Sequence, residues 1–230
     1  TLTIEGTGNY TGKATVEWKI TPREVTPTIE VASCTYTGDA LEPTVTVKDD
    51  IGNIIDQKEY EIFYSNNTNA GIATVTIKDV EGGNYVLSGA SKTFEITKAA
   101  APTMQPIELT VINGLAKTYL VNLPALPTLG DNCKYGSIKY EACNFDLIGE
   151  GGYANSTAMI TSNDEFQLTV PAVESQTEGS VGTVGVKITT DNYQDMLLTV
   201  EVIAKNKIVP VLDGEITATP ITFGQILRVS

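Results

Sequence analysis

An oxygen-rich turn is the part of this chain that comes nearest to a metal site. Asp49, Asp50 and Asn53 lie close together between two predicted strands. Calcium takes six to eight oxygen ligands in proteins, and this turn has neither that many donors nor the spacing of an EF-hand loop. The sequence therefore favours an unliganded polar turn, and calcium is the only cofactor that stays open.

The residue types that most enzymes use are scarce. The 230 residues include no histidine, which removes the commonest general base and the commonest metal ligand. The three cysteines, Cys34, Cys133 and Cys143, have neither the number of a disulfide framework nor the spacing of a zinc site. Cys133 and Cys143 could pair across a hairpin, which sequence separation alone does not decide. No pair stands out among the 28 acidic residues as a catalytic pair, so we predict no enzyme.

An Asn-Tyr pair recurs at three equivalent points of the chain. The pairs are Asn9-Tyr10, Asn84-Tyr85 and Asn192-Tyr193. We interpret them as a structural motif in which the ring is buried and its hydroxyl bonds a nearby backbone group, as in a tyrosine corner. The asparagine beside it can tolerate a left-handed φ at the turn. Trp18 stands where the second copy has Phe94, and we expect it to face a core. A ligand-contacting tyrosine is the alternative.

Alternating strands flank each Asn-Tyr pair. Thr74–Ile77 and Thr93–Thr97 alternate polar and apolar residues around the second pair, which is the period of a half-buried strand. No long segment shows the period of a helix, so helix content should be low. A unit that recurs on this scale indicates a modular array, and short strands separated by turn residues indicate sandwiches or barrels.

The repeat divides the chain into four predicted parts. They are the C-terminal strand pair of a preceding module (1–21), a first complete β module (22–98), a second, divergent β-sandwich module (99–206) and the start of a following module (207–230). The first copy starts at residue 1 with no sheet partner ahead of it. We therefore expect the chain to be part of a longer tandem protein.

Charge and hydropathy exclude two classes of partner. The net charge is −13, from 28 acidic and 15 basic residues, and such a surface repels the phosphate backbone of nucleic acid. No run of 18 apolar residues occurs, so we predict no membrane insertion in this segment. The 41% of apolar residues is enough for packed cores, and 19% charged residues is too few for a disordered chain.

Several motifs of residues 22–98 resemble a known kind of module. They are Tyr36-Thr37-Gly38, Asn69-Ala70-Gly71, Thr74-Val75-Thr76-Ile77 and Gly83-Asn84-Tyr85. Together they look like the tandem immunoglobulin-like and MBG/YDG-type repeats of surface proteins of Gram-positive gut Firmicutes, and residues 107–206 resemble a companion module. The resemblance implies an all-β fold of tandem immunoglobulin-like β-sandwich modules with very little helix, or β-grasp-like single modules. It also implies an extracellular or cell-wall location and no catalytic site.

The predicted function follows from these observations and the resemblance. We expect a non-catalytic structural or adhesive segment of a multi-repeat bacterial cell-surface or secreted protein, acting as a stalk or adhesin module. Its partners would be the neighbouring modules of its own chain. Two alternatives stay open: a module that binds carbohydrate or host glycoproteins through exposed aromatic rings, and an accessory region of a large secreted glycosidase.

Overall fold

The computed structural model describes residues 1–87, 89–148, 150–174 and 178–208. Its regular structure there is seventeen β-strands and two short 3₁₀ turns, Gln57–Glu59 and Glu150–Asn155, with no α-helix in these ranges. Alternating Thr and Val residues fill many of the strands, because β-branched side chains pack well on a pleated, half-buried surface. The predicted all-β fold with very little helix is confirmed.

The chain forms two compact units, each built from three stretches of sequence. Unit 1 contains Thr1–Pro106, Leu123–Cys143 and Gly185–Thr199, and unit 2 contains Ile107–Asn122, Asn144–Val184 and the chain from Val200 onward. The predicted modules are continuous segments, and their boundaries stay predictions. All but the first two residues of the predicted segment 207–230 lie outside the described residues.

The first ten strands belong to unit 1. They are β1 (Leu2–Glu5), β2 (Lys13–Val16), β3 (Arg23–Val25), β4 (Thr28–Val31), β5 (Cys34–Thr35), β6 (Val45–Lys48), β7 (Tyr60–Ser65), β8 (Gly71–Asp79), β9 (Tyr85–Leu87) and β10 (Ser91–Thr97). One four-stranded sheet has the order β5-β10-β8-β7, and β1-β2, β3-β9 and β4-β6 form two-stranded sheets. The pairs β5-β10 and β3-β9 are parallel.

The core of unit 1 contains one face of each of these sheets except β1-β2. Ala73, Val75 and Ile77 on β8 are fully buried, and Phe94 and Ile96 on β10 join them. The alternation of the sequence explains this, because successive side chains of a strand point to opposite faces. The remaining buried members of the cluster come from other strands and turns: Val25, Ile29, Tyr36, Val45, Val47, Ile55, Tyr60, Leu87 and Tyr193.

The last seven strands follow an immunoglobulin order. They are β11 (Ile107–Ile112), β12 (Lys117–Asn122), β13 (Ile138–Leu147), β14 (Thr157–Ile160), β15 (Glu165–Val170), β16 (Gly179–Thr190) and β17 (Met196–Lys205). Their two sheets have the orders β11-β17-β16-β13 and β12-β15-β14. An immunoglobulin domain places its third, sixth and seventh strands in one sheet and its second, fourth and fifth in the other, as found here. The predicted immunoglobulin-like class is confirmed for these strands.

A buried tyrosine marks the interior of unit 2. Tyr153 is 1% exposed, and its hydroxyl donates to Oδ1 of Asn113 at 2.5 Å. Asn113 in turn donates from Nδ2 to Asn206 at 2.9 Å. Burial raises the pKa of Tyr153, as expected for a phenol whose ionised form has lost its water. The apolar residues buried in this unit include Leu109, Val111, Phe166, Leu168, Val170, Val173, Val181, Val184, Val200, Val202 and Ala204.

The β1-β2 hairpin is exposed on both faces. Its strands pair antiparallel, with Leu2 opposite Val16, so the predicted pair of strands in residues 1–21 is present. Trp18 is 62% exposed, and the expectation that it faces a core is wrong in this structure. Trp18 follows β2, which ends at Val16, and the described residues before and after it are exposed as well, so no core forms there.

Candidate functional site

The oxygen-rich turn is held together by an arginine. Asp49 is 4% exposed and accepts hydrogen bonds from the backbone amides of Ile51 (3.1 Å) and Asn53 (2.7 Å). Arg23 donates to Asp49 at 3.0 Å and pairs with Asp50 through its second nitrogen. Burial alone would raise the pKa of Asp49, but the hydrogen bonds from Asn53, Ile51 and Arg23 outweigh it and hold the pKa below 3.8.

These contacts give the carboxylates of Asp49 and Asp50 a cationic partner from the chain itself. A calcium ion bound to Asp49, Asp50 and Asn53 stays a prediction, and it would have to compete with the guanidinium of Arg23. Across the described ranges, no group of three or more cysteine, aspartate or glutamate side chains is arranged to hold a metal ion.

The first Asn-Tyr pair lies on the surface. Asn9 is exposed and Tyr10 is 80% exposed, at the tip of the β1-β2 hairpin. A left-handed conformation does occur at this turn, but Gly8 adopts it, with a φ of 72°. For this copy the expectation of a buried ring is wrong.

The second pair closes a turn onto a buried carboxylate. Glu59 is 6% exposed and accepts from the backbone amide of Asn84 (2.8 Å) and from its Nδ2 (2.9 Å). Tyr85, half-buried, begins β9, which pairs with β3. Hydrogen bonds from the backbone and side chain of Asn84 lower the pKa of Glu59 below 4.5. Gly82, with a φ of 78°, is the left-handed residue of this turn.

The third pair is the centre of a buried polar cluster in unit 1. Asn192 is 1% exposed, and its Oδ1 accepts from the backbone amide of Ala70 at 2.9 Å. Its Nδ2 donates to the carbonyl of Lys134 (3.0 Å) and to Oδ1 of Asn69 (3.3 Å). Both side-chain ends are therefore satisfied, which a buried amide requires. We call the residues around this amide, listed here, the Asn192 cluster: Tyr36, Gly38, Asn69, Ala70, Lys134, Tyr135, Asn192 and Tyr193.

The backbone of Asn192 joins the same segments. Its amide donates to the carbonyl of Tyr135 at 3.2 Å, and its carbonyl accepts from the amide of Ala99 at 2.9 Å. One residue thus connects the loop before β8, the segment before β13 and the chain that follows β10. None of the three repeated asparagines is among the described residues with positive φ, so these turns do not use the left-handed φ that asparagine tolerates.

Three tyrosine rings pack beside Asn192. Tyr193 is 8% exposed and lies 5.6 Å from the ring centre of Tyr36, at 78°, and 5.3 Å from that of Tyr135, at 55°. Tilted and edge-to-face pairs at these distances are favourable for aromatic rings. Burial raises the pKa of Tyr193 to about 12. The ring is enclosed by two other rings and does not face solvent, and its role as a structural motif stays a prediction.

The hydrogen bond from a tyrosine hydroxyl to the backbone, which was expected of the tyrosines in the Asn-Tyr pairs, is made by other tyrosines. Tyr64 donates to the carbonyl of Pro43 at 2.6 Å, and Tyr135 donates to that of Pro127 at 2.8 Å. The hydroxyl of Tyr36 accepts from the amide of Lys134 at 2.9 Å. Among the described residues, no hydroxyl-to-backbone bond is found for Tyr10, Tyr85 or Tyr193. Of the three repeated tyrosines, only Tyr193 is buried. The repeat gave no sign of the hydroxyl contacts of Tyr36, Tyr64 and Tyr135.

Gly38 explains why the Tyr36-Thr37-Gly38 motif belongs to the cluster. Its φ is 93°, and a Cβ at this position would lie 2.9 Å from the backbone of Asn132 and Cys133. Only glycine combines this conformation with so close an approach. Cys133 donates from Sγ to the carbonyl of Thr37 at 3.2 Å. Cys34, Cys133 and Cys143 are free thiols.

A surface cleft of about 620 Å³ in unit 1 bears on the carbohydrate-binding alternative. Its lining includes Glu42, Gln57, Phe63, Tyr64 and Asn67. Phe63 is 48% exposed, but it neighbours Tyr64 on β7 and the two rings leave the strand on opposite faces. They do not form the coplanar aromatic platform that this alternative requires, and sugar binding stays a prediction.

Comparisons with known proteins found similar structures and no family. No protein-family model matches the chain, and no curated protein matches it significantly. A titin I-band fragment, I67-I69, has 10% identity over 78% of this chain and 65% of its own length, with a TM-score of 0.35. Three N-terminal domains of the outer capsid protein Hoc of bacteriophage RB49 have 15% identity over 81% and 71%, with a TM-score of 0.31. The protocadherin GammaB4 extracellular domain has 15% identity over 82% and 36%, with a TM-score of 0.31.

These TM-scores are too low to support a conclusion about this protein. Its class is inferred from its own strand order and packing. That class is an all-β protein with immunoglobulin-like strand order. Its best-formed polar site, the Asn192 cluster, joins segments of the chain. The structure contains no helix long and apolar enough to cross a membrane within the described residues.

The buried carboxylate of Glu59 predicts acid sensitivity. The pKa of Glu59 is lower in the folded protein than its ordinary value of 4.5. The ionised side chain therefore stabilises the fold at pH values above 4.5, and this stabilisation is lost as the pH falls through the folded pKa. We expect Glu59→Gln to lower the free energy of unfolding at about pH 7 and to make little difference at about pH 3. Urea unfolding followed by circular dichroism checks this.

Glu61→Gln is the matched control, because Glu61 is exposed on β7. We expect it to leave the free energy of unfolding unchanged at either pH. An equal loss for Glu59→Gln at both pH values would show that the charge of Glu59 is not what stabilises the turn.

Proposed function

We propose that this chain is a non-catalytic structural segment of a multi-repeat bacterial cell-surface or secreted protein, and that it acts as a stalk or adhesin module under tension. The observation that carries the proposal is the parallel pairing of entry and exit strands. Chain ends that leave a domain along two parallel, hydrogen-bonded strands load those bonds in shear, so that they must break together. Strands pulled apart from one end break their bonds one at a time.

Unit 2 has the longer of these parallel contacts. β11 pairs with β17 over six residue positions, from Ile107 opposite Val200 to Ile112 opposite Lys205. The chain enters β11 at Ile107 and leaves β17 at Lys205, which are opposite ends of the paired strands. Beyond the strands, the amide of Asn113 donates to the carbonyl of Lys205 at 2.8 Å. Tension along the chain is therefore parallel to the strands.

Unit 1 has two shorter parallel contacts, neither of which joins the first of its ten strands to the last. Cys34 and Thr35 of β5 lie opposite Ile96 and Thr97 of β10, and β3 pairs with β9 over three positions. Side chains reinforce the first contact, because Oγ1 of Thr97 donates to the carbonyl of Cys34 at 3.1 Å and lies 3.2 Å from Oγ1 of Thr35.

Pulling one protein in two directions tests the proposal. Single-molecule force spectroscopy would use cysteine handles in a background whose three native cysteines are replaced by alanine. The pair Gln105→Cys and Lys205→Cys loads β11 and β17 in shear, and the pair Leu115→Cys and Lys205→Cys peels them from one end. We expect unit 2 to unfold at a clearly higher force in the shear direction.

Both variants carry Lys205→Cys, so they differ only in the position of the other handle. The free energy of unfolding of each variant, measured in urea, checks that it is folded. Equal unfolding forces in the two directions would contradict a load-bearing role for β11-β17. Forced unfolding depends on the unfolding barrier and not on equilibrium stability, so the comparison of directions isolates the geometry of the strands.

The location and the partners of the segment are part of the same proposal. The resemblance of the motifs in residues 22–98 to repeats of Gram-positive surface proteins supports an extracellular or cell-wall location. The net charge of −13 supports solubility and disfavours nucleic acid as a partner. The expected partners are the neighbouring modules of the same chain. Host glycans or host surface proteins are proposed as additional partners.

A further inference from the structure

β7 is an unprotected edge of the four-stranded sheet in unit 1. The sheet has the order β5-β10-β8-β7, so β7 is its last strand among the described residues. The opposite edge, β5, is only two residues long, and a very short edge strand resists pairing. β7 has six residues without a lysine, a proline or a bulge, and its one charged side chain, Glu61, is exposed. Nothing in β7 itself therefore prevents a further strand from pairing with it.

The register of β7 identifies the backbone groups that face its open edge. The amide of Val80 donates to the carbonyl of Glu59 at 3.2 Å and extends the ladder between β7 and β8. In an antiparallel ladder every second residue exchanges hydrogen bonds with the partner strand, so the odd-numbered residues of β7 bond to β8. The backbone amides and carbonyls of Ile62 and Tyr64 therefore point away from β8, toward the open edge.

The same edge lines the surface cleft of about 620 Å³. Residues 62–64 line it from β7, and the other lining residues come from the segment 40–45, from Gln57 and from Asn67. Its volume is within the range of pockets that bind ligands. Because all of these residues lie between positions 40 and 67, one continuous stretch of unit 1 forms the cleft.

Hydrogen bonds fix the segment 40–45 beside β7. The amide of Leu41 donates to the carbonyl of Asn67 at 2.8 Å, and Nδ2 of Asn67 donates to the carbonyl of Leu41 at 2.9 Å. The hydroxyl of Tyr64 donates to the carbonyl of Pro43 at 2.6 Å. These bonds hold the segment in place, so the cleft is formed before any ligand enters it.

Glu42 gives the cleft a negative charge. It is the one charged side chain among the described lining residues, and it is exposed. Burial raises the pKa of Tyr64, and the charge of Glu42 raises it further, which places the carboxylate near the Tyr64 ring. The whole chain carries −13. A second copy of the chain would therefore meet like charge here, whereas a segment with lysine or arginine is attracted.

We propose that β7 binds an extended segment of another protein as an added strand, with a lysine or arginine of that segment facing Glu42. An extended backbone presents an amide and a carbonyl to one side at every second residue, which is the spacing at which Ile62 and Tyr64 present theirs. Main-chain hydrogen bonds supply affinity in this mode of binding, and alternate side chains supply specificity.

The inference rests on the adhesin part of the proposed function and names the partner by its chemistry. The force comparison on β11 and β17 tests the load-bearing part in unit 2. Each experiment can therefore fail without the other.

Peptide selection on the immobilised full chain tests the proposal. The probe is a displayed library of random eight-residue peptides. We expect the enriched peptides to contain lysine or arginine, to carry β-branched residues that favour an extended strand, and to lack proline at the centre. One enriched peptide, synthesised with blocked ends, is used in the experiments that follow.

Hydrogen exchange locates the added strand. In the free protein the amides of Ile62 and Tyr64 should exchange quickly, whereas that of Phe63, bonded to β8, should exchange slowly. Saturating peptide should slow the exchange of Ile62 and Tyr64 by about tenfold or more. A peptide N-methylated at the nitrogens that face β7 should not bind, and the same peptide methylated at the alternate nitrogens should bind normally.

A charge variant tests the role of Glu42. We expect Glu42→Gln to weaken binding of the basic peptide by about fivefold. Glu95→Gln is the matched control, because Glu95 is exposed on β10 and does not line the cleft, and we expect it to leave binding unchanged. Circular dichroism confirms that each variant is folded.

Any of four results would overturn the proposal. They are a selection that enriches no peptide, a bound peptide that leaves the exchange of Ile62 and Tyr64 unchanged, equal binding of the two methylated peptides, and equal binding by Glu42→Gln and Glu95→Gln. Protection of Ile62 and Tyr64 that appears without peptide as the protein concentration rises would identify a second copy as the occupant, and would overturn it as well.

Discussion

Replacing Asn192 with alanine is expected to lower the free energy of unfolding of unit 1 by about 3 kcal/mol. The variant removes the acceptor for the amide of Ala70 and the donor to the carbonyl of Lys134. A buried polar group left without a partner costs roughly 1–3 kcal/mol, and here two such groups lose theirs. Urea unfolding followed by circular dichroism measures the loss.

The same substitution in the other copies of the phrase is the matched control. Asn9 is exposed, and we expect Asn9→Ala to change stability by less than about 0.5 kcal/mol. Asn84 holds the Glu59 carboxylate from an exposed position, and Asn84→Ala should cost about 1 kcal/mol. Three equal losses would show that the Asn-Tyr phrase acts locally and that the Asn192 cluster has no special role.

Hydrogen exchange gives a local test of the Asn192 prediction. The amide of Ala70 donates to Oδ1 of Asn192, so its exchange should be slow in the wild-type protein and fast in Asn192→Ala. Amides of β8 such as that of Ile77 should keep their protection as long as the unit is folded. If the Ala70 amide exchanges quickly in the wild-type protein, the loop is not held by Asn192.

Tyr193→Ala is expected to have the largest effect of any single change, a loss of about 4 kcal/mol in the free energy of unfolding. The ring is 8% exposed and packs on Tyr36 and Tyr135, so that its removal leaves a cavity and deletes both aromatic contacts. Tyr193→Phe keeps the ring and should cost less than about 1 kcal/mol.

Tyr10→Ala is the control for Tyr193, because it removes the same residue type from the same phrase. Tyr10 is 80% exposed, and we expect a change below about 0.5 kcal/mol. Alkaline unfolding offers a second readout. Burial raises the pKa of Tyr193 to about 12. The stabilisation that the fold gains from the neutral hydroxyl is therefore complete below the ordinary tyrosine pKa of 10.0, and it is lost as the pH rises through the pKa of the folded protein. Tyr193→Phe should remove that loss.

Alternation and turn chemistry predicted the strands, because they are local properties of the chain. Val75, Ile77, Phe94 and Ile96 occupy every second position, and this pattern alone identifies them as one face of a ribbon. The lack of a helical period predicted the near absence of helix for the same reason. The motifs Tyr36-Thr37-Gly38 and Asn69-Ala70-Gly71 were visible as motifs, but their shared place in the Asn192 cluster was not.

Only the tertiary structure decided which copy of the repeated phrase is buried and which hydrogen bonds its residues make. Trp18 and Phe94 occupy equivalent places in the repeated phrase, yet Trp18 lies in solvent and Phe94 lies in a core. Asn192 is 1% exposed because the loop before β8 and the segment around Lys134 meet there, and these segments are far apart along the chain. Periodicity determines which side of a strand is apolar, whereas burial depends on what packs against that side, and that is a property of distant residues.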